Sequence, residues 1–199
     1  TVAGTDRALT IQQVAMAAFQ PARLPPGLEP GLYETGTFTP KQDTFPNGCH
    51  ICEVEIDPQT GAVALLRYAV SDDVGTVINP LGLKGQIHGG IAQGLGQVLM
   101  EQVVYDPTSG QLLSGSFMDY AMPRADTTCD VAVVSNAVPT ALNPLGAKGA
   151  GEAGTVGALP AVMNAVLDAL APLGVSGLDM PATSARVWSA IETARQLAG

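Results

Sequence analysis

The sequence predicts an α+β fold, with mixed or antiparallel strands in hairpins and helices packed against them. Two runs of alternating apolar and polar residues, "CHICEVEID" and "AVALLRYAVSDDVG", flank the turn Pro58-Gln59-Thr60-Gly61 and read as a β-hairpin. Downstream, Ile87, Ile91, Leu95, Val98 and Leu99 recur at the spacing of one helix face. Strands in hairpins alternate with helices without the strand–helix–strand rhythm of a nucleotide-binding sheet. With 199 residues, 46% hydrophobic and 14% charged, the chain can bury a sizeable core, and residues 1–199 read as one domain.

In chain order, Thr10 followed three residues later by Gln13, ahead of "VAMAAF", predicts a short helix opened by a capping box. The stretch "QPARLPPGLEPGLYETGTFTPKQDTFPNG" is rich in proline and glycine and poor in apolar periodicity, which suits a surface path and an interface arm. In the first hairpin strand, Cys49 and Cys52 form a C-x-x-C. Alternation sends them to opposite faces, so they neither share a metal nor close a simple disulfide, and Glu53 stands where a haem motif needs histidine. The helix after the hairpin carries Gln86, Gly89, Gly90, Gln93, Gly94 and Gln97 on a second face. Repeated glycines there imply close approach of another backbone or of a ligand, and the glutamines favour the ligand because buried amides need partners.

Beyond it, "EQVVYD", the turn "PTSG" and "QLLSGSFMDYAMP" predict a second hairpin, and "CDVAVVSNAV" a further strand. Two helices follow, through "LPAVMNAVLDAL" and "ARVWSAIETARQL". The first is the most apolar stretch of the chain; Pro160, Asn164, Asp168 and Pro172 mark it as a buried amphipathic helix and not a bilayer span.

A formal charge of −9, from 18 acidic and 9 basic residues with no basic cluster, argues against nucleic acid as a partner. The opening "TVAGTDRALT" has no charged-then-apolar leader, and the expected location is the cytoplasm.

The stretch "GAKGAGEAGTVG", residues 146–157, places one carboxylate, Glu152, among residues with almost no side chains. A glycine loop before a helix can be a plain turn, with the acid favoured by the helix N-terminal dipole. It can also be a backbone shaped to lie against a ligand.

The ordered motifs "DDVGTVINP", "GQIHGGIAQGLGQVLMEQVVYD", "GSFMDYAMP" and "NPLGAKGAGEAGTVGALPAVMNAVLDAL" decide between them. Together they resemble the C-terminal, molybdopterin-binding part of the large subunit of the xanthine dehydrogenase/aldehyde oxidase family, the molybdenum hydroxylases. The resemblance runs from about residue 45 nearly to the end, and "DRALTIQQVAMAAF" also fits. It implies part of an enzyme that hydroxylates an aldehyde or N-heterocyclic carbon with oxygen from water. The implied cofactor is molybdopterin, in bacteria often as the cytosine dinucleotide, carrying molybdenum.

By the same resemblance, Glu152 is the general base that deprotonates the metal-bound hydroxyl, and burial beside apolar groups would bring its pKa nearer neutrality. Gln86 would face the pterin, with Lys148, Gly149 and Gly151 lining the site beside Glu152. His88, two residues from Gln86, points elsewhere on a helix and reads as structural. No protein metal ligand is assigned.

The family's remaining large-subunit half, a 2Fe-2S subunit and an FAD subunit are the implied partners in a hetero-oligomer. The chain is then a fragment or a separate piece of that larger subunit. The competing reading is a non-catalytic assembly or cofactor-storage module with the same fold.

Overall fold

The hairpin forms where the alternation places it, with β1 (Asn47–Ile56) and β2 (Val63–Asp73) paired antiparallel in a computed structural model that describes residues 1–198. Asp57 builds the turn: its carboxylate accepts from Gln59 N at 2.8 Å and Thr60 Oγ1 at 2.8 Å, and its carbonyl from Gly61 N at 2.8 Å. These donors, Gln59 N foremost, hold the Asp57 carboxyl below its ordinary pKa. Gly61 closes the turn at φ +71°, a conformation that favours glycine.

The pairing sets Gly48 opposite Asp72, His50 opposite Val70 and Cys52 opposite Tyr68, with a register shift between Glu53 and Val54. Cys49 is exposed and Cys52 half-buried, its thiol donating to Ala161 O at 3.2 Å, as opposite faces require. Burial pushes the Cys52 thiol up to about 11, so it stays protonated.

β3 (Val131–Ser135) pairs with β2 in parallel, giving a mixed sheet in the order β1-β2-β3. The path from β2 through α2 (Pro80–Leu99) to β3 is thus a strand–helix–strand crossover, which the hairpin reading did not foresee. Parallel partners need a long connection, and here about 57 residues (74–130) supply it. The second hairpin expected around "PTSG" shrinks to one bridge, Tyr105 with Leu112, around a turn capped by Asp106. The fold remains α+β.

α2 starts at Pro80, with Asn79 Oδ1 accepting from Gly82 N at 2.9 Å. α3 (Ala153–Leu170) lies against β1 and α2, and α4 (Ser184–Ala198) follows. Ile87, Ile91, Leu95 and Val98 meet Ala158, Val162, Val166 and Leu170 in the core with Tyr68, Val70, Val187 and Ile191. Among the described residues, Ala153–Leu173 is the stretch long and apolar enough to cross a membrane. Its apolar stripe, Ala158, Val162, Val166 and Leu170, is fully buried in this core.

The chain divides into two units, Thr1–Thr39 and the remainder from Pro40. In the first, α1 (Ile11–Ala18) opens with the expected capping box: Gln13 N donates to Thr10 Oγ1 at 3.2 Å and Thr10 N to Gln13 Oε1 at 2.8 Å. None of its residues is buried.

Candidate functional site

The glycine loop is fastened before it reaches Glu152. Asp73, at the end of β2, accepts from Lys148 Nζ at 2.5 Å, Gly75 N at 2.9 Å, Val138 N at 3.0 Å and Asn47 Nδ2 at 3.4 Å. The Lys148 ammonium and the two backbone donors hold the Asp73 carboxyl well below the carboxylate range. Lys148 N donates to Val74 O at 2.8 Å and Thr76 N to Gly146 O at 2.9 Å, while Asn143 bonds both backbone groups of Ala147. Gly75, at φ +67°, leaves no room for a Cβ against Gly146 O.

From this anchor the chain enters α3, with Glu152 at the N-cap. Its side chain makes no capping bond and lines a cavity of about 310 Å³ with Phe45, Pro46, Gly48, His50, Asp72 and Val156. The residue is exposed, so the burial expected around this carboxylate is not provided by this chain.

The structure brings Gln86 and Gly151 together, since a Cβ on Gly151 would lie 3.8 Å from Gln86 Nε2. Gly149 has open space where a side chain would go. Lys148 differs from these two, because its ammonium is engaged by Asp73.

The second face of α2 divides. Gln86, Gly89, Gln93 and Gln97 form an exposed stripe, whereas Gly90 and Gly94 are buried against α3. A Cβ on Gly90 would come within 2.8 Å of Thr155 N, and one on Gly94 within 2.7 Å of the Ala158 Cβ. The premise that these glutamines are buried is therefore overturned, and helix packing explains the two buried glycines. Thr155 Oγ1 bonds Gly90 O at 3.0 Å and Gln93 Oε1 at 3.3 Å, tying α3 to the edge of the stripe. His88 lies apart from Gln86 and lines a different cavity, of about 270 Å³, with Cys129 and Leu95.

Sequence reasoning missed three residues behind Glu152. His50 Nδ1 lies 2.8 Å from the Tyr68 hydroxyl, and His50 Nε2 lies 3.3 Å from Asp72 Oδ1. Burial first, then the neighbouring Cys52, Asp72 and Cys129, pushes the Tyr68 phenol far above its ordinary pKa, so the hydroxyl keeps its proton. With the Asp72 carboxylate accepting from Nε2, the neutral imidazole carries its proton there, and Nδ1 accepts from the Tyr68 O–H. The signal was present: if Cys52 faces inward, alternation turns His50 inward too, and the pairing register brings Tyr68 and Asp72 to the same face.

Among the described residues no group of three or more His, Cys, Asp or Glu could hold a metal ion. The exposed Gln86 amide beside Gly151 and the open space at Gly149 offer a donor, an acceptor and room that fit the edge of a heterocyclic cofactor.

Comparison with known proteins agrees with that chemistry. Residues 1–129 match the family described as "Molybdopterin cofactor-binding domain". The chain is 40% identical over 184 residues to the carbon monoxide dehydrogenase large chain of Hydrogenophaga pseudoflava, covering 92% of this chain and 22% of that one. It is 37% identical over 199 residues to the nicotine 6-hydroxylase large subunit of Paenarthrobacter nicotinovorans, covering 100% of this chain and 24% of that one. Among solved structures, the Cu,Mo-CO dehydrogenase superposes with a TM-score of 0.82 at 35% identity, over 94% of this chain and 23% of that one. Quinoline 2-oxidoreductase from Pseudomonas putida 86 gives 0.80 at 40% identity, over 91% and 23%. The chain thus spans less than a quarter of the length of these relatives.

Proposed function

This chain belongs to the family of molybdopterin cofactor-binding domains, and we propose that it forms the C-terminal part of the large subunit of a molybdenum-dependent hydroxylase. The substrate is an aldehyde or an N-heterocycle, and the oxygen comes from water. The observation that carries this reading is the free Glu152 carboxylate, uncommitted to capping, at the head of α3 and on the wall of the cavity.

When bound, the molybdenum–pterin cofactor, in its cytosine dinucleotide form, supplies two-electron redox and oxygen-transfer chemistry. The residues of this chain do the rest of the work here. Glu152 takes a proton at a carboxylate oxygen as the water-derived oxygen attacks the substrate carbon, a general-base role. Its place is fixed by α3 on one side and by the Lys148–Asp73 pair on the other. Gln86 offers Nε2 as donor and Oε1 as acceptor to the pterin edge. Gly149 and Gly151 let the cofactor approach the backbone, and Lys148 contributes by holding their loop through Asp73.

The exposure of Glu152 and of the glutamine stripe supports a site completed by the rest of the large subunit, which also supplies the missing burial. Electrons leave through partner subunits carrying a 2Fe-2S cluster and FAD.

The test is Glu152→Gln in the assembled enzyme. Turnover should fall about a hundredfold or more, with molybdenum and pterin content unchanged. Near-normal turnover would remove Glu152 from the reaction.

A further inference from the structure

Glu152 makes no capping bond, so its position depends on what holds the chain before and after it. Before it, Lys148 is engaged by Asp73. After it, Gly157 stands in the second turn of α3, and the imidazole of His50, from β1, lies against the helix backbone there. A Cβ on Gly157 would fall on three atoms of that ring, Cδ2, Nε2 and Cε1. Glycine is disfavoured inside a helix, and at this position it makes a notch for the ring.

The ring is gripped on its other sides. The His50 side chain is 5% exposed, Nδ1 accepts from the Tyr68 hydroxyl at 2.8 Å, and Nε2 lies 3.3 Å from Asp72 Oδ1. The Tyr68 ring meets it edge-on, with centroids 5.7 Å apart and planes at 84°. An apolar side chain would fill the same space, but two buried hydrogen bonds also fix the plane of the ring, and turning it breaks both. Tyr68 and Asp72 belong to β2, so His50 ties α3 to the strand whose last residue holds Lys148.

We infer that His50 is a positioning residue for Glu152: held by Tyr68 and Asp72 and seated in the Gly157 notch, it sets where α3 begins relative to the sheet. The consecutive carboxylates Asp72 and Asp73 then secure the chain on both sides of Glu152, through His50 after it and Lys148 before it. The inference rests on the reading of Glu152 as the general base. A displacement of about 1 Å near a reacting group costs on the order of a hundredfold in rate.

The test is a double-mutant cycle in the assembled, cofactor-loaded enzyme, with turnover read on quinoline or benzaldehyde, whichever the parent oxidises. His50→Ala should lower kcat at least about tenfold, with KM within about twofold and molybdenum content at the parent level. In the Glu152→Gln enzyme the same change should cost less than about twofold, because the group it positions is already gone. Equal losses in the two backgrounds, as a general loosening of the fold produces, overturn the assignment. Hydrogen exchange needs no substrate. The Val156 amide, which donates to Glu152 O at 3.0 Å, and that of Gly157 should exchange about tenfold faster in His50→Ala, while those of Val162 and Val166 hold. Parent exchange at Val156 and Gly157 overturns the assignment. Tyr68→Phe removes only the hydroxyl and should lower kcat about threefold in the same Glu152-dependent way. Where His50→Ala does not assemble, Tyr68→Phe carries both readouts, and parent values in it overturn the assignment. Near-normal turnover in Glu152→Gln overturns the general-base reading and the positioning with it, whereas an impaired Glu152→Gln beside an unimpaired His50→Ala overturns the positioning alone.

Discussion

Asp72 and Asp73 are consecutive in β2, equally buried, and opposite in circumstance. Asp73 has a lysine, two backbone amides and an asparagine around it, and lies where the glycine loop is fastened to the sheet. Asp72 has one histidine, and its Oδ2, beside a cavity, has no partner among the described residues. One residue of offset turns the side chain to the other face of the strand, so the same chemical group becomes a rivet on one side and an open acceptor on the other. A fully partnered buried carboxylate is a mark of architecture.

The sharpest way to break this comparison is to remove each carboxylate in turn from the complete large subunit. Asp73→Ala leaves the Gly75 and Val138 amides and the Lys148 ammonium without their acceptor, and should lower Tm by about 2–3 °C. Hydrogen exchange should rise around Gly75, Val138 and the loop to Glu152. Asp72→Leu removes one bond, to His50 Nε2, and an oxygen without a partner among the described residues, and should shift Tm less. Comparable losses from the two would mean that Asp72 is as structural as its neighbour.

Gly154→Ala probes the seam beneath the loop. Its Cβ would lie 2.5 Å from Ile87 O and 3.1 Å from Gly90 Cα, both backbone atoms of α2. The helices must part to admit it, at a cost of about 1–3 kcal/mol, read as a lower midpoint in denaturant unfolding. An unchanged midpoint would show that the α2–α3 packing is looser than these distances imply.

Acid sharpens the contrast further. The Asp73 carboxyl is depressed in the folded chain, mainly by Lys148, so its contribution to stability is fully present above the unfolded carboxylate value of about 4. That contribution is lost as pH falls from there through the lower folded value. Stability measured from neutral pH down to about 2 should therefore decline below about pH 4, and Asp73→Asn should flatten part of that decline. A variant that follows the parent curve throughout would show that other carboxylates carry the acid response.

What the sequence revealed of this fold was its local content. The Thr10 capping box, the Asp57 turn and the periodicity of Ile87 to Val98 depend on neighbours a few residues away, and all three formed. β3 was found as a strand, but its parallel partner was not, because that pairing is set by the crossover from β2 through α2. The failed second hairpin had a sound turn at Asp106 but gained only the Tyr105–Leu112 bridge. At the site, Glu152, Gln86 and Gly151 stood out through motif and spacing. The His50–Asp72 pair required strand register as well as alternation, and the engagement of Lys148 required knowing that Asp73 lies beside it, 75 residues earlier in the chain.

The smallest effect on stability tests the site most directly. Gly149 sits between the fastened Lys148 and the catalytic candidate Glu152, with nothing within 4 Å of where a Cβ would be, and it does not adopt positive φ. Gly149→Ala should therefore be accepted without strain, leaving stability unchanged or raised by up to about 1 kcal/mol through a less flexible unfolded chain. A methyl group there projects into the space assigned to the cofactor. Molybdenum and pterin content of the assembled enzyme should accordingly fall while its unfolding transition holds. Full cofactor loading in Gly149→Ala would move the cofactor boundary away from this position, toward Gly151 and the Gln86 amide.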